Sequence, residues 1–224
     1  MDRHLQITAD GSHTLAIPEL GLTYHSHHGA VQESMHVYID AGLLYLINAK
    51  DLAPVVHILE IGFGTGLNAL LSVREAIKHR RHIHYTAIEK YPLTELEAQQ
   101  LNHGRILNMQ LQFEQIHHAP WEQAVVLHPY FTLEKKQRSL PGSIGSNGIH
   151  CIYFDAFSPT AQPEMWTQDF FELLYQGLLP GGILLTYCSK SSIRKAMVAA
   201  GFRVSKIQGP WGKREMVRAE KISN

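Results

Sequence analysis

The stretch Leu59-Glu60-Ile61-Gly62-Phe63-Gly64-Thr65-Gly66 joins the apolar run from Val55 to Ile61 to the periodic segment from Leu67 to Lys78. A short apolar run rich in β-branched residues predicts a buried strand, and apolar residues three and four apart predict a helix. Three glycines at alternate positions between them permit a tight turn and a close approach of backbone to ligand. Backbone amides at the start of the following helix then face an anionic or polar group. Such a turn either opens a ligand-binding α/β sheet or is a turn and nothing more, and the rest of the chain decides which.

Downstream the pattern alternates. Ile83 to Ile88 reads as a strand, Leu93 to Leu101 as a helix and Leu111 to Ile116 as a strand. Ile149 to Phe154 is a strand, Pro163 to Leu179 a helix, Ile183 to Tyr187 a strand, Ser191 to Ala200 a helix, and Phe202 to Ile207 and Glu215 to Arg218 are strands. This is the rhythm of an α/β fold with a Rossmann-like sheet. The polar stretch from Glu134 to Gly148, with Pro141-Gly142 and Gly145-Ser146-Asn147-Gly148, reads as a loop or hairpin insertion. The link around Gly209-Pro210-Trp211-Gly212 is too short for a parallel crossover, so the last two strands pair antiparallel, giving a mostly parallel sheet with one reversed strand. Upstream, Leu5 to Thr8 and Thr14 to Ile17 flank Asp10-Gly11 as a hairpin. Met35, Ile39, Leu43, Leu46 and Ile47 mark an amphipathic helix from Gln32 to Ala49. With no repeat and no linker, residues 1–224 are expected to form a single domain in which 1–50 are an N-terminal hairpin and helix extension.

Open α/β sheets bind ligands outside the carboxyl ends of their strands. Three motifs fall there: the glycine turn, Glu89 at the end of the second strand, and Asp155-Ala156-Phe157-Ser158-Pro159 at the end of the fourth. Glu89 is suited to accept both ribose hydroxyls of an adenosine ligand, or is a solvated strand-end charge. The spacing Glu60-x-Gly62-x-Gly64-x-Gly66 resembles that of class I methyltransferases rather than the Gly-x-Gly-x-x-Gly of nicotinamide enzymes. The expected cofactor is therefore S-adenosylmethionine, bound by Glu60, Gly62, Gly64, Gly66 and Glu89.

Composition narrows the class further. Of the 224 residues, 45% are hydrophobic and 18% charged, as in a globular protein, and no apolar run is long enough to span a membrane. Twenty basic residues balance twenty acidic ones, so any nucleic acid must be held by a local patch rather than a global field. Cys151 and Cys188 sit in apolar runs, which suits buried thiols of a reducing compartment. With no signal-peptide pattern at the start, a cytoplasmic location is expected. Fifteen histidines, including His25, His27 and His28, come without a His-Glu-x-x-His helix or paired cysteines, so no metal site is expected.

Taken together, several stretches carry a closer likeness: Tyr24-His25-Ser26 with His28-Gly29-Ala30 and Glu33-Ser34, Glu60 to Gly66, and Asp155 to Pro159. To these add Pro163-Glu164-Met165-Trp166 and Gly212-Lys213-Arg214-Glu215-Met216. Over most of its length the chain resembles the methyltransferase half of the MnmC family, bifunctional enzymes of tRNA wobble-uridine modification, and its stand-alone relatives. The resemblance implies methylation of the exocyclic amine of 5-aminomethyl-uridine or its 2-thio form in tRNA. It also implies that the flavin-dependent oxidase module of the bifunctional relatives is missing here, since nothing after Asn224 could house it. Asp155 is the expected acid-base residue. The Asp-Ala-Phe-x-Pro motif is similar to the Asp-Pro-Pro-Tyr loop of amino-methylating nucleic-acid enzymes, so Phe157 either stacks on the target base or anchors the loop in the core. Trp166 contacts substrate or packs inside. Lys190, Arg194, Lys195, Lys213, Arg214 and Arg218 form either a docking site for tRNA phosphates, led by Lys213 and Arg214, or a solvated face.

Two other classes share this frame. An aminopropyltransferase of the spermidine-synthase kind uses the same sheet but holds a polyamine with several carboxylates, of which only Asp155 stands in the motif here. A non-catalytic RNA-binding protein would have no need of an intact glycine turn together with Glu89 and Asp155.

Overall fold

The computed structural model describes residues 2–49, 53–141, 144 and 147–222. The chain opens with an antiparallel sheet of β1 (His4–Ile7), β2 (His13–Ile17) and β3 (Leu22–Thr23). Residues 30–47 are continuously helical, but not uniformly: α1 (Ala30–Ser34) passes into a ten-residue π-helical segment, Met35–Leu44, and then into α2 (Tyr45–Ile47). The main elements follow in order: β4 (Val55–Ile61), α3 (Leu67–His79), β5 (His82–Glu89), α4 (Glu95–Gln99), α5 (His103–Ile106), α6 (Gln110–His118), β6 (Ala124–His128), β7 (Phe131–Gln137), β8 (Ile149–Phe154), α7 (Gln168–Gly177), β9 (Leu178–Thr186), α8 (Ser191–Ala199), β10 (Arg203–Gln208) and β11 (Glu215–Glu220).

The eight-stranded sheet runs β10-β11-β9-β8-β4-β5-β7-β6. Strand β4 lies at its centre, parallel to both β5 and β8, and its residues from Ile58 to Ile61 are all buried, which explains its near-unbroken apolar sequence. One face is covered by the 30–47 helix, α3 and α6 through Val37, Leu43, Leu70, Phe113 and Ile116. The other is covered by α7 and α8 through Phe170, Phe171, Leu174, Ile193 and Met197. Among the described residues no helix is long and apolar enough to cross a membrane.

Four expectations are corrected. Residues 111–116 are not a strand but part of α6, where Phe113 and Ile116, one helical turn apart, are buried, while Leu111, at the helix start, is 62% exposed. Two apolar residues at alternate positions could not separate the two periods. The stretch from Glu134 is not loop throughout: Glu134 to Gln137 complete β7, which pairs in parallel with β5 and antiparallel with β6. Its charges misled because the strand satisfies them inside the fold. Lys135 Nζ donates to the carbonyls of Ile116 and His117 at the end of α6, both at 2.9 Å, and Lys136 pairs with Glu134 at 3.1 Å on the other face. Residues 142, 143, 145 and 146 of that stretch lie outside the described residues. The sheet accordingly has two reversed strands, β6 and β11, rather than one. The 163–179 helix is also divided: a single 3-10 turn, Pro163–Trp166, ends at Thr167, whose hydroxyl accepts from Phe170 N and caps α7.

Candidate active site

The glycine turn is shaped by what lies against it. Gly62, Gly64 and Gly66 all have positive φ, at 92°, 52° and 72°. Gly62 N donates to Ile88 O and Asp155 N to Ile61 O, so the turn is laced to the ends of β5 and β8. A Cβ at Gly62 would stand 2.6 Å from Asp155 O, and one at Gly64 3.1 Å from the Tyr24 ring, so the motif serves close approach as well as conformation. Beneath the turn, the His117 Nε2–H donates to Thr65 O at 3.1 Å, and Lys135 fixes the end of α6 that carries His117. Burial lowers the Lys135 ammonium to about 8. Burial and the neighbouring Lys135 charge lower His117 to about 4, keeping that imidazole neutral.

Above the turn opens a cleft of about 430 Å³ at the carboxyl ends of β4, β5 and β8, lined by residues 21–28, Glu33, Gly62 to Thr65 of the glycine turn, Asn68, Glu89, Asp155 to Ser158, Tyr187 and Lys213. Glu89 lies at its rim with Oε2 accepting from Gly64 N at 3.0 Å and Oε1 from Tyr91 N at 2.8 Å. Each carboxylate oxygen has a second lone pair, so the oriented group keeps acceptor capacity for a diol. Tyr24 covers Gly64 and meets Phe157 edge-on at 5.2 Å. Its hydroxyl accepts from Arg3 Nε at 2.8 Å, and the same guanidinium reaches both oxygens of Glu97 and the carbonyl of Tyr91.

Asp155 is held at both oxygens. Tyr38 donates its hydroxyl to Oδ1 at 2.7 Å, and Asn68 Nδ2 donates to Oδ2 at 2.9 Å. Burial pushes its carboxyl up to about 7, against the opposing pull of the Tyr38 bond. The π-helical register of 35–44 brings Tyr38 to this point, and such segments concentrate at functional sites. Lys213 Nζ bonds Glu33 Oε1 at 2.7 Å and lies 4.2 Å from the centre of the Tyr187 ring.

The cleft thus gathers Gly62, Gly64, Glu89, Asp155 and Phe157, from the three motifs expected at the strand ends, and Lys213 besides. Gly66 stands behind it as the left-handed start of α3, against Phe63 and His117. Glu60 does not reach it. Fully buried and shifted well up by that burial, its carboxyl accepts from the same Asn68 Nδ2 that holds Asp155, so it braces the site from below. Trp166 is likewise 4% exposed, packed on Phe154 and Phe171, and its indole N–H donates to Phe157 O at 2.9 Å. It shapes the loop and does not line the cleft. Arg214 is exposed beyond Lys213. Sequence reasoning missed Tyr38 and Asn68, which carry no motif, and assigned no role to Tyr24 and Glu33, although both fall in the stretches that carry the family likeness.

A family model described as S-adenosyl-L-methionine-dependent methyltransferase matches residues 81–222. The chain belongs to this methyltransferase family. Its cofactor is S-adenosylmethionine, and the cleft fits that molecule: the positive-φ glycines Gly62 and Gly64 bare the backbone, Glu89 offers acceptors, and the carboxylates of Glu33, Glu89 and Asp155 suit a ligand carrying an ammonium and a sulfonium. The methyltransferase is 29% identical, over 88% of its length, to the tRNA 5-methylaminomethyl-2-thiouridine biosynthesis bifunctional protein MnmC of Ectopseudomonas mendocina. It is 25% identical, over 98%, to that of Aeromonas salmonicida. It spans about a third of each relative, 32% and 36% respectively. Its fold is that of the MnmC2 crystal structure from Aquifex aeolicus, with a TM-score of 0.75 at 24% identity over 100% of this chain and 72% of that one. A spermidine synthase from Thermotoga maritima shares the fold more distantly, with a TM-score of 0.52 at 12% identity over 99% of this chain and 79% of that one.

Proposed function

We propose that this methyltransferase methylates the exocyclic amine of 5-aminomethyl-uridine, with or without 2-thiolation, at the wobble position of tRNA. The observation that carries the reading is Asp155: a carboxylate fixed at both oxygens, raised to about 7, and open to the cleft that takes the cofactor. Such a group suits an amine nucleophile, which arrives protonated and must lose that proton to attack. The likeness to MnmC proteins, whose name specifies 5-methylaminomethyl-2-thiouridine in tRNA, supports the same substrate.

Bound S-adenosylmethionine supplies an electrophilic methyl group on a sulfonium centre. The glycine turn and Glu89 would hold its adenosine portion. Asp155 orients the substrate nitrogen and accepts its proton, freeing the lone pair, and holding nucleophile and methyl in line is worth roughly 7–11 kcal/mol of the barrier. Phe157, kept in place by Trp166 and Tyr24, offers its ring to the target base. Lys213 and Arg214 at the cleft mouth meet the tRNA backbone. Residues 1–224 act here as one catalytic unit, and a tRNA substrate implies a cytoplasmic enzyme.

Mass spectrometry of tRNA nucleosides after incubation with S-adenosylmethionine tests this. One added methyl on aminomethyl-uridine is expected, and its absence from tRNA bearing the free amine would overturn the reading. Asp155→Ala is expected to slow single-turnover transfer about 10²- to 10⁴-fold while S-adenosylmethionine still binds.

A further inference from the structure

The hairpin between β10 and β11 carries a feature that the cleft chemistry does not use. At its tip Trp211 is 73% exposed, whereas Trp166 is 4% exposed; between residues 199 and 221 Trp211 is the one exposed large apolar side chain among the described residues. The ring does not hang on a loose loop. Lys213 N donates to Pro210 O at 2.9 Å and Gly209 N to Arg214 O at 3.2 Å, closing the turn. The His36 imidazole Nε2–H donates to Gln208 O at 2.8 Å, tying the hairpin base to the π-helical segment. Gly212, at φ 86°, leaves room for the His28 ring, with which any side chain there would collide. His28 in turn lies nearly parallel to Trp211, 13° between planes and 6.4 Å between centres, and His27 follows at 4.2 Å. Since His27 and His28 line the cleft, a row of flat rings leads from solvent to the active site.

The charge around this row favours one kind of occupant. Glu33 is paired with Lys213, Glu215 with Lys206 and Glu220 with Arg203, whereas Lys190, Arg194, Lys195, Arg214, Arg218 and Lys221 make no ion pair among the described residues. The charges of Lys190 and Lys213 both act on Cys188, and those of Arg194 and Arg214 both act on Glu215 at the start of β11, so positive charge gathers about the hairpin. A rigid exposed indole amid unpaired cations is the combination that holds single-stranded nucleic acid, with bases on the ring and phosphates on the charges. A protein-docking surface would instead call for a contiguous apolar patch.

We infer that Trp211 is a stacking platform for an unpaired nucleobase flanking the target base, with His28 between that platform and the cleft. The inference rests on the tRNA reading above and adds to it a second base-binding position. The test uses a short unmodified RNA hairpin with an unpaired loop, and a blunt duplex of the stem sequence. The loop RNA quenches the fluorescence of the exposed indole in the native protein. In Trp211→Ala the quench disappears and loop binding weakens by about 5- to 100-fold, Trp211→Phe regains part of it, and duplex and S-adenosylmethionine binding stay unchanged. Undiminished loop affinity, or an equal loss for the duplex, overturns the inference; thermal unfolding of the variant confirms that the exposed position leaves the fold intact. The two readings fail separately. Methylation of tRNA by Trp211→Ala with native KM sinks the platform and leaves the function, whereas ring-dependent loop binding without methyl transfer to aminomethyl-uridine sinks the function and leaves a nucleobase site.

Discussion

Replacing Tyr38 with phenylalanine removes one oxygen atom and keeps the buried ring. That oxygen donates the 2.7 Å hydrogen bond to Asp155 Oδ1. A bond to a charged acceptor contributes about 1.5–3 kcal/mol, and one pH unit corresponds to about 1.36 kcal/mol. The donated bond favours the ionised carboxylate, so its loss raises the Asp155 carboxyl by about one to two units above its value of about 7. At pH 7 the native group is about half ionised and the variant only about 1–10%, so transfer slows about 5- to 50-fold there and recovers at correspondingly higher pH. Single-turnover methylation of amine-bearing tRNA across the pH range measures this as an alkaline shift of the acid limb. A limb that does not move, or a loss equal at every pH, would refute the assignment of Asp155 as the titrating group and reduce Tyr38 to packing.

Three other outcomes are expected. Glu89→Ala removes the acceptor that orders Gly64 N and Tyr91 N and should weaken S-adenosylmethionine binding by about 10- to 100-fold, with unchanged calorimetric affinity as the contrary result. Gly62→Ala places a side chain 2.6 Å from Asp155 O at a φ of 92°, a strain of about 1–3 kcal/mol before the clash is counted. The melting temperature should drop by about 2–4 °C for each kcal/mol of destabilisation, and native-like unfolding would show that the turn relaxes freely. Neutralising Arg214, which stands exposed outside the cleft, should weaken tRNA binding and flatten its logarithmic salt dependence by about one unit for a phosphate no longer held, without touching cofactor affinity. An unaltered slope counts against the docking role.

By itself the sequence determined the ligand-binding frame: the glycine turn after a buried strand, acidic groups at strand ends, and the closing antiparallel hairpin are all local signals, because strand burial, turn geometry and loop length depend on neighbours in the chain. Val55 to Ile61 and Ile149 to Phe154 are strands over those same residues. Only the tertiary structure decided that Glu134 to Gln137 form a strand, since the carbonyls that satisfy Lys135 come from α6, and that 110–118 is a helix, since its register answers to α3 and the glycine turn. The same holds for the support of Asp155. Tyr38 reaches it from a π-helical segment 117 residues earlier and Asn68 from the first turn of α3, and Asn68 also takes up Glu60, which the motif assigned to the cofactor. Those bonds are set by how helix and sheet pack together, and no spacing along the chain encodes a hydrogen bond that forms only when two distant elements are brought into register.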